Sequence, residues 1–419
     1  MPYNAQAVRE SFHLREGRTY FDGGGGGPVL KAALDVHNDY IHRFGTVSPG
    51  GAGSTSREAT TKIRANRETL AKLVNCDPEV LCYMPSATAA FRFLAESLYD
   101  NGIVSPGDHV VTTALDHESN VHPWRVRAGD KLHVVKFRKI DGALDMDDLE
   151  EIISSHHPKV VTFTLASNAL GTVTDHRAII DLAKRYRDDV IILGDAVHYA
   201  AHEPVDFQQG FDGLVVSMYK LGALHASLLA VNPELLSLTS KHKMPQIPAS
   251  PLHYRAEQGN QAWANYAAAA AVVNWLNSLN GESEQVTREG VVSGFNSIAI
   301  HEHSLLPELL RGLQSLDATI YGSTATTSNV RVPTVAFTLN GHNSRDVAAH
   351  LDSKGMDVNA STFYANGVAA EYGFEIPGIS HPTASRKGGM LRVSLASYHK
   401  QEDIHAFLEN IGDFLNPHH

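Results

Sequence analysis

Cysteine is nearly missing. Cys76 and Cys82 are the only two in 419 residues. Two thiols cannot build a disulfide framework, so a reducing, cytoplasmic setting is expected. Long apolar runs are missing as well. No stretch approaches the roughly 20 residues a membrane helix needs, and the opening MPYNAQAVRESFHLREG has neither the basic start nor the apolar centre of a signal peptide. No membrane partner is expected. Positive charge is in short supply: 35 Lys and Arg against 46 Asp and Glu leave a net charge of −11, which argues against a nucleic-acid partner. Histidine is plentiful, with 24 residues; His301 and His303 form an HEH pair and His418–His419 end the sequence, but no HExxH or similar helix spacing occurs, so no metal is expected. The dinucleotide fingerprint G-x-G-x-x-G is absent too. In FDGGGGGP (21–28) its third glycine falls on Pro28 or Val29, depending on the start. The glycine run then reads either as a flexible turn or as backbone that passes close to a ligand, with Gly24 a candidate substrate contact.

What is present is the composition of a globular protein, 43% apolar and 19% charged. Its length suits a large domain and a smaller one. Helical spacing over 58–75, 87–100, 146–155 and 175–187 alternates with short β-rich runs: HVVTT (109–113), LHVVKF (132–137), KVVTFTLA (159–166), DVIILGDA (189–196) and GLVVSM (213–218). That rhythm predicts a doubly wound α/β domain with a mainly parallel sheet. Residues 260–313 read as mostly helical. After about 285 the pattern changes to strands at 331–339 and 389–396 with amphipathic helices at 344–354 and 401–414, a small α+β domain. The expected division is a segment 1–28, a large domain 29–285 and a small domain 286–419.

Sheets of this class bind ligands beyond the carboxyl ends of their strands. Polar residues cluster at those positions here: Asp116, His117 and Asn120 after the first run, then Asn168, then Asp195 and His198, then Ser217, Tyr219 and Lys220. Each alone reads as a cap or turn residue, but together they converge on one sheet edge. Asp195 follows VIILG and needs a cationic partner to be buried. A protonated ring nitrogen would serve. Lys220, at the end of another apolar strand, is placed to have its ammonium destabilised and its amine made nucleophilic. Lysine for an aldehyde and aspartate for a pyridinium is the pairing that pyridoxal 5'-phosphate requires. Ser86, Ala87 and Thr88 open a helix after Pro85, a ready cradle for its phosphate.

These residues resemble the fold-type I PLP enzymes of the class V aminotransferase family, in its cysteine desulfurase-like branch. The motifs keep the family order: YFDGG, SATAA, DHESNVHPW, SNALGT, GDAVHYAAH, SMYKLGALH and RVSLASY. The resemblance implies that Lys220 forms the Schiff base, that Asp195 holds the pyridine nitrogen, and that His117 stacks on the ring. It implies cofactor contacts from Ala87, Thr88, Asn168, His198, Ser217 and Tyr219. Arg392, and with it Asn168 and His225, would face an L-α-amino acid substrate. It also implies a homodimer, with Asn260 a candidate phosphate contact across the dimer. Several letters depart from the usual pattern. His198 stands where glutamine is common, and Tyr219 where histidine precedes the lysine. These changes, with His225, resemble a sub-branch that includes the decarboxylative aldolase of the ustiloxin pathway. The cysteine that desulfurases carry before the Arg392 strand is absent from VNASTFYANGVAAEYGF. Persulfide chemistry needs an accessible thiolate. The expectation is therefore a lyase working by C–S β-elimination or decarboxylative aldol chemistry, with an aminotransferase as the alternative. Specificity is assigned to the 361–385 loop, the glycine run and the surroundings of His225.

Overall fold

The computed structural model describes residues 3–257, 259–281, 285–380 and 385–416. Seven strands form the main sheet: β1 (Leu81–Met84), β2 (Val110–Thr113), β3 (Leu132–Val135), β4 (Val160–Thr164), β5 (Ile191–Asp195), β6 (Gly213–Ser217) and β7 (Ser227–Val231). Their order across the sheet is β1-β7-β6-β5-β4-β2-β3. All run parallel except β7, which is antiparallel to both of its neighbours. The central strands are runs of apolar and small residues, with Asp195 the one charged residue at the end of β5, and are buried along their whole length. Such runs need cover on both faces of the sheet. The helices supply it: α1 (Lys31–Phe44), α2 (Ser54–Val74), α3 (Ala87–Asp100), α4 (Glu118–Ala128), α5 (Met146–His156), α6 (His176–Tyr186) and α7 (Trp263–Ser278). The alanine-rich α7 is apolar on nearly every side and almost wholly buried, packing against α1, α2 and the long α8 (Arg288–Ser315).

A second, antiparallel sheet has the order β10-β11-β9-β8, from β8 (Ala318–Tyr321), β9 (Thr334–Leu339), β10 (Asn359–Ser361) and β11 (Met390–Ser394). The chain start is tied to it. Thr19–Tyr20 pairs in parallel with Met356–Asp357, and Asp22 bridges Ser394.

The five strands expected in the large domain all form. Two others, β1 and β7, were not among those expected. LCYM is four residues long, and β7 follows too closely on a glycine-containing turn for its run to stand out. A helix also forms at Glu118–Ala128 despite Pro123 in its interior. Among the described residues no helix is long and apolar enough to cross a membrane.

Candidate active site

The parallel strands place their carboxyl ends side by side. Thr164 is paired with Asp195, and Asp195 with Val215. The segments leaving these ends enclose a cavity of about 740 Å³. Gly24, Ala87, Thr88, His117, Asn168, Asp195, His198, Ser217, Tyr219, Lys220 and Arg392 all line it. His225 and Asn260 do not. His225 lies behind Tyr219, with ring centroids 4.9 Å apart. Asn260 is exposed and donates to Ser48 Oγ at 2.9 Å. Asp116 and Asn120 also lie outside the cavity. Asp116 accepts from the Thr113 backbone, the Thr113 hydroxyl and Asn120, while Asn120 accepts from Thr162. They form a buried polar brace beneath the site. His418 and His419, with Gln258 and 381–384 of the loop, lie outside the described residues.

One end of the cavity is built on β1. Glu257, buried against Arg67, accepts from the Tyr83 N–H at 2.6 Å, and the Tyr266 hydroxyl donates to the Met84 carbonyl at 2.8 Å. The anchored strand delivers Ser86 as N-cap of α3, its Oγ accepting from Ala89 N at 3.1 Å. The other first-turn N–H groups have no acceptor within the helix. Ser217, at the end of β6, shares a hydrogen bond of 2.8 Å with Ser227 at the start of β7.

Asp195 ends β5 and is 3% exposed. Its Oδ1 accepts from Val197 N at 2.9 Å. Burial raises its carboxyl to about 6, opposed by that hydrogen bond and by the positive charge of Lys220. Lys220 sits in the short turn Met218–Leu221 that follows β6. Burial lowers its ammonium to about 7. The Arg392 charge pushes in the same direction, while Asp195 and Asp22 oppose it. A lysine that ordinarily stays charged is thus a free amine for much of the time near neutrality.

His117 caps α4. Its Nδ1 accepts from the Ser119 backbone N–H at 3.1 Å, which leaves the proton of the neutral ring on Nε2. Burial, then repulsion by Lys220 and Arg392, lowers it to about 4. His198 Nε2 bonds the Thr334 hydroxyl at 2.9 Å, and that hydroxyl donates onward to Ser394. Thr334 therefore accepts from His198, whose Nδ1 lone pair is buried without a partner. Asn168 repeats the pattern. Its Nδ2 donates to the Phe363 carbonyl at 2.9 Å while its Oδ1 is buried and unpaired. Two acceptors left open at one cavity wall suit a ligand with its own donors.

Arg392, on β11, is 2% exposed. Its Nε and Nη2 donate to Asp22 Oδ1, its Nη1 donates to the Asn168 carbonyl at 3.0 Å, and its guanidinium lies 4.2 Å from the Phe363 ring centroid. The glycine run meets this group closely. A Cβ on Gly24 would lie 2.8 Å from both the guanidinium carbon and Ser394 Oγ. The close approach is therefore to Arg392, which the sequence did not show. The wall also carries Asn359, which has no sequence signal, Tyr20 and Asp22 of the YFDGG motif, and Ser361, Phe363 and Tyr364 of the 361–385 loop, none of which is given an individual role by sequence reasoning. Phe363 and Tyr364 both have left-handed backbone, with φ of 57° and 54°. Neither is glycine, so each carries strain of about 1–3 kcal/mol. The Asn168 side chain and the Glu118 N–H, bonded to their two carbonyls, hold the turn over the site. Neither cysteine lines the cavity. Burial pushes the Cys76 thiol up to about 12 and that of Cys82 well above the usual range.

The aminotransferase class-V family matches this chain over residues 19–407. The aminotransferase-like protein FGM3 of Gibberella zeae is 29% identical over 418 residues, covering 96% of each chain. A probable cysteine desulfurase of Streptomyces coelicolor is 26% identical over 400 residues, covering 88% of this chain and 90% of that one. Among solved structures, an apo cysteine desulfurase from Thermococcus onnurineus superposes with a TM-score of 0.84 at 21% identity, covering 100% of this chain and 99% of that one. The cysteine desulfurase CsdA from Escherichia coli gives 0.79 at 19%, covering all of both. At such identities the structural likeness establishes the fold.

Proposed function

Because the chain belongs to the aminotransferase class-V family, we propose that it binds pyridoxal 5'-phosphate at Lys220 and acts on an L-α-amino acid as a lyase, by C–S β-elimination or decarboxylative aldol chemistry. One observation carries this reading: an amine lowered to about 7, a buried carboxylate and a buried guanidinium share a cavity that no thiol lines. The residues fit the cofactor. Asp195 would pair with the ring nitrogen, gaining the cation that its burial calls for. The start of α3 with Ser217 would hold the phosphate, and His117 would stack on the ring. The open acceptors of Asn168 and His198 would meet polar groups of the cofactor or substrate. When bound, the cofactor supplies an aldehyde for the substrate amine and an electron sink for the pair left at the α-carbon.

The chain's own residues do the rest. Arg392 would bind the α-carboxylate through the remaining face of its guanidinium, its orientation fixed by Asp22 and the Asn168 carbonyl. Lys220 Nζ, a free amine for much of the time near neutrality, would take the α-proton and return it. The Phe363–Tyr364 turn would cover the reacting centre and limit water. Cysteine desulfuration is disfavoured, because a persulfide needs an accessible thiolate and the side chains at that wall are Phe363 and Tyr364. We read the chain as half of a homodimer, with Asn260 of each copy completing the phosphate site of the other. Its position outside its own cavity supports this. Transamination is the second reading, favoured by the name of the Gibberella zeae relative.

Product analysis separates these readings. The cofactor-loaded protein is given each L-amino acid and a panel of S-substituted cysteines. Pyruvate with a thiol, or carbon dioxide released from aspartate, is the expected result. Pyridoxamine phosphate with a keto acid would favour the second reading, and alanine with protein-bound sulfur from cysteine would overturn the assignment.

A further inference from the structure

Among the described residues many histidines have evident individual partners: His202 bonds Glu302, His301 the His399 carbonyl, His350 the Asn410 carbonyl, and His157 the Tyr186 carbonyl. Three others are partnered chiefly by one another. His109 immediately precedes β2, His133 lies within β3, and His156 is the last residue of α5. They are far apart in sequence, which is why no ligand spacing was visible. The fold joins them. The parallel pairing sets Val110 against Leu132 and Val111 against His133, and α5 ends over the same part of the sheet. One ring nitrogen from each lies within 4.8 Å of the other two. His109 Nδ1 and His133 Nε2 are 2.7 Å apart, and the rings stack with centroids 4.1–5.0 Å apart. All three are half-buried. This group is at the amino-terminal end of the strands, opposite the cavity, and β3 is the edge strand of the sheet.

Three imidazoles this close repel one another when protonated. Burial, then the neighbouring histidines and Lys131, hold His109 and His133 below the ordinary histidine value, in the form that ligates metals. No carboxylate belongs to the cluster, so it is a poor site for magnesium or calcium, which demand oxygen donors. Nitrogen donors suit zinc and its transition-metal neighbours. A tetrahedral Zn²⁺ with nitrogen at 2.0–2.1 Å sets its ligand atoms roughly 3.3 Å apart. The closest pair here lies inside that spacing, and the rings stack at interplanar angles of 17–28°, so an ion would have to part that pair and turn the rings until their in-plane lone pairs converge.

We propose that His109, His133 and His156 form a three-imidazole site for a divalent transition cation of the zinc class, with its remaining position open to water. Such an ion would clamp the edge strand β3 to β2 and to the end of α5. It stands apart from the catalytic chemistry, and the titration below decides between it and the expectation that the histidines hold no metal.

The test is titration of the cofactor-loaded full chain with Zn²⁺ by calorimetry, and with Co²⁺ by visible absorption. The variants are His133→Ala, His156→Ala and a His418→Ala/His419→Ala double substitution, each checked for fold by circular dichroism. The expected result is one ion per chain at micromolar Zn²⁺, with a tetrahedral Co²⁺ spectrum, unaffected by the terminal double substitution. Each of the other two variants should weaken binding by at least about 100-fold, since loss of even an outer-shell partner costs 10–100-fold. Saturating Zn²⁺ should raise the melting temperature by roughly 3 °C at a hundredfold excess over Kd, and His133→Ala should abolish that rise. Absence of stoichiometric binding, or binding that survives both His133→Ala and His156→Ala, overturns the proposal and leaves the three rings as a packing feature.

Discussion

Asp195 shows most plainly how a site can be held at the expense of stability. Its carboxyl is raised from an ordinary value of 3.8 to about 6 by burial, with one backbone N–H in contact and no cation bonded to it. A raised carboxyl pKa means that the ionised form is penalised in the fold. The penalty is present in full above pH 6 and vanishes below about pH 4, where the group is protonated in both states. Asp195→Asn keeps an acceptor for Val197 N and removes the charge. The cofactor-free variant should therefore be more stable than the parent at pH 7, by on the order of 2–3 kcal/mol, and by almost nothing at pH 4. Urea unfolding at the two pH values measures this. An equal gain at both, or none, would contradict the placement of the charge. The same variant should lose turnover, because an amide cannot hold a proton on the ring nitrogen.

At the scale of elements, the large sheet positions the amine and the carboxylate, while the chain start and the small sheet deliver the arginine and its partners. The glycine run is the tightest point of this assembly. Gly24→Ala would place a methyl group 2.8 Å from the Arg392 guanidinium and from Ser394 Oγ, both on β11. Arg392 must then shift from Asp22. We expect KM for the amino acid to rise at least about tenfold, as when a positioned ion pair is broken, while the cofactor spectrum is unchanged. A wild-type KM would show that Gly24 does not shape the substrate site.

The elements also show what sequence alone could reveal. Lys220, Asp195, Asn168 and His117 are legible because each lies at, or within four residues of, the carboxyl end of an apolar strand, so local pattern and topology place them together. Asp22 is not, because its contact with Arg392 spans 370 residues. Phe363 and Tyr364 are legible only as part of the 361–385 loop, since left-handed backbone at non-glycine positions follows from tertiary holds and not from composition. The strands β1 and β7 were missed for a local reason: short runs beside turns carry too few residues for a period to show. Asp116 and Asn120 were grouped with the site because they follow a strand as His117 does, but their hydrogen bonds turn them inward.

For the whole molecule, fold and chemistry must be argued separately. The chain superposes on cysteine desulfurases over its full length, yet its two thiols, Cys76 half-buried and Cys82 buried, lie away from the cavity. What it shares with those proteins is the fold; in this chain the fold brings Lys220, Asp195 and Arg392 to one cavity. Whether Lys220 carries the cofactor is open to direct chemical labelling. The pyridoxal phosphate-loaded protein is reduced with borohydride and its peptides are mapped by mass spectrometry, beside a folded Lys220→Ala variant. A phosphopyridoxyl group is expected on the peptide containing Lys220, with no reducible adduct in the variant. A label on a different lysine, or an undiminished adduct in Lys220→Ala, would contradict the assignment to Lys220.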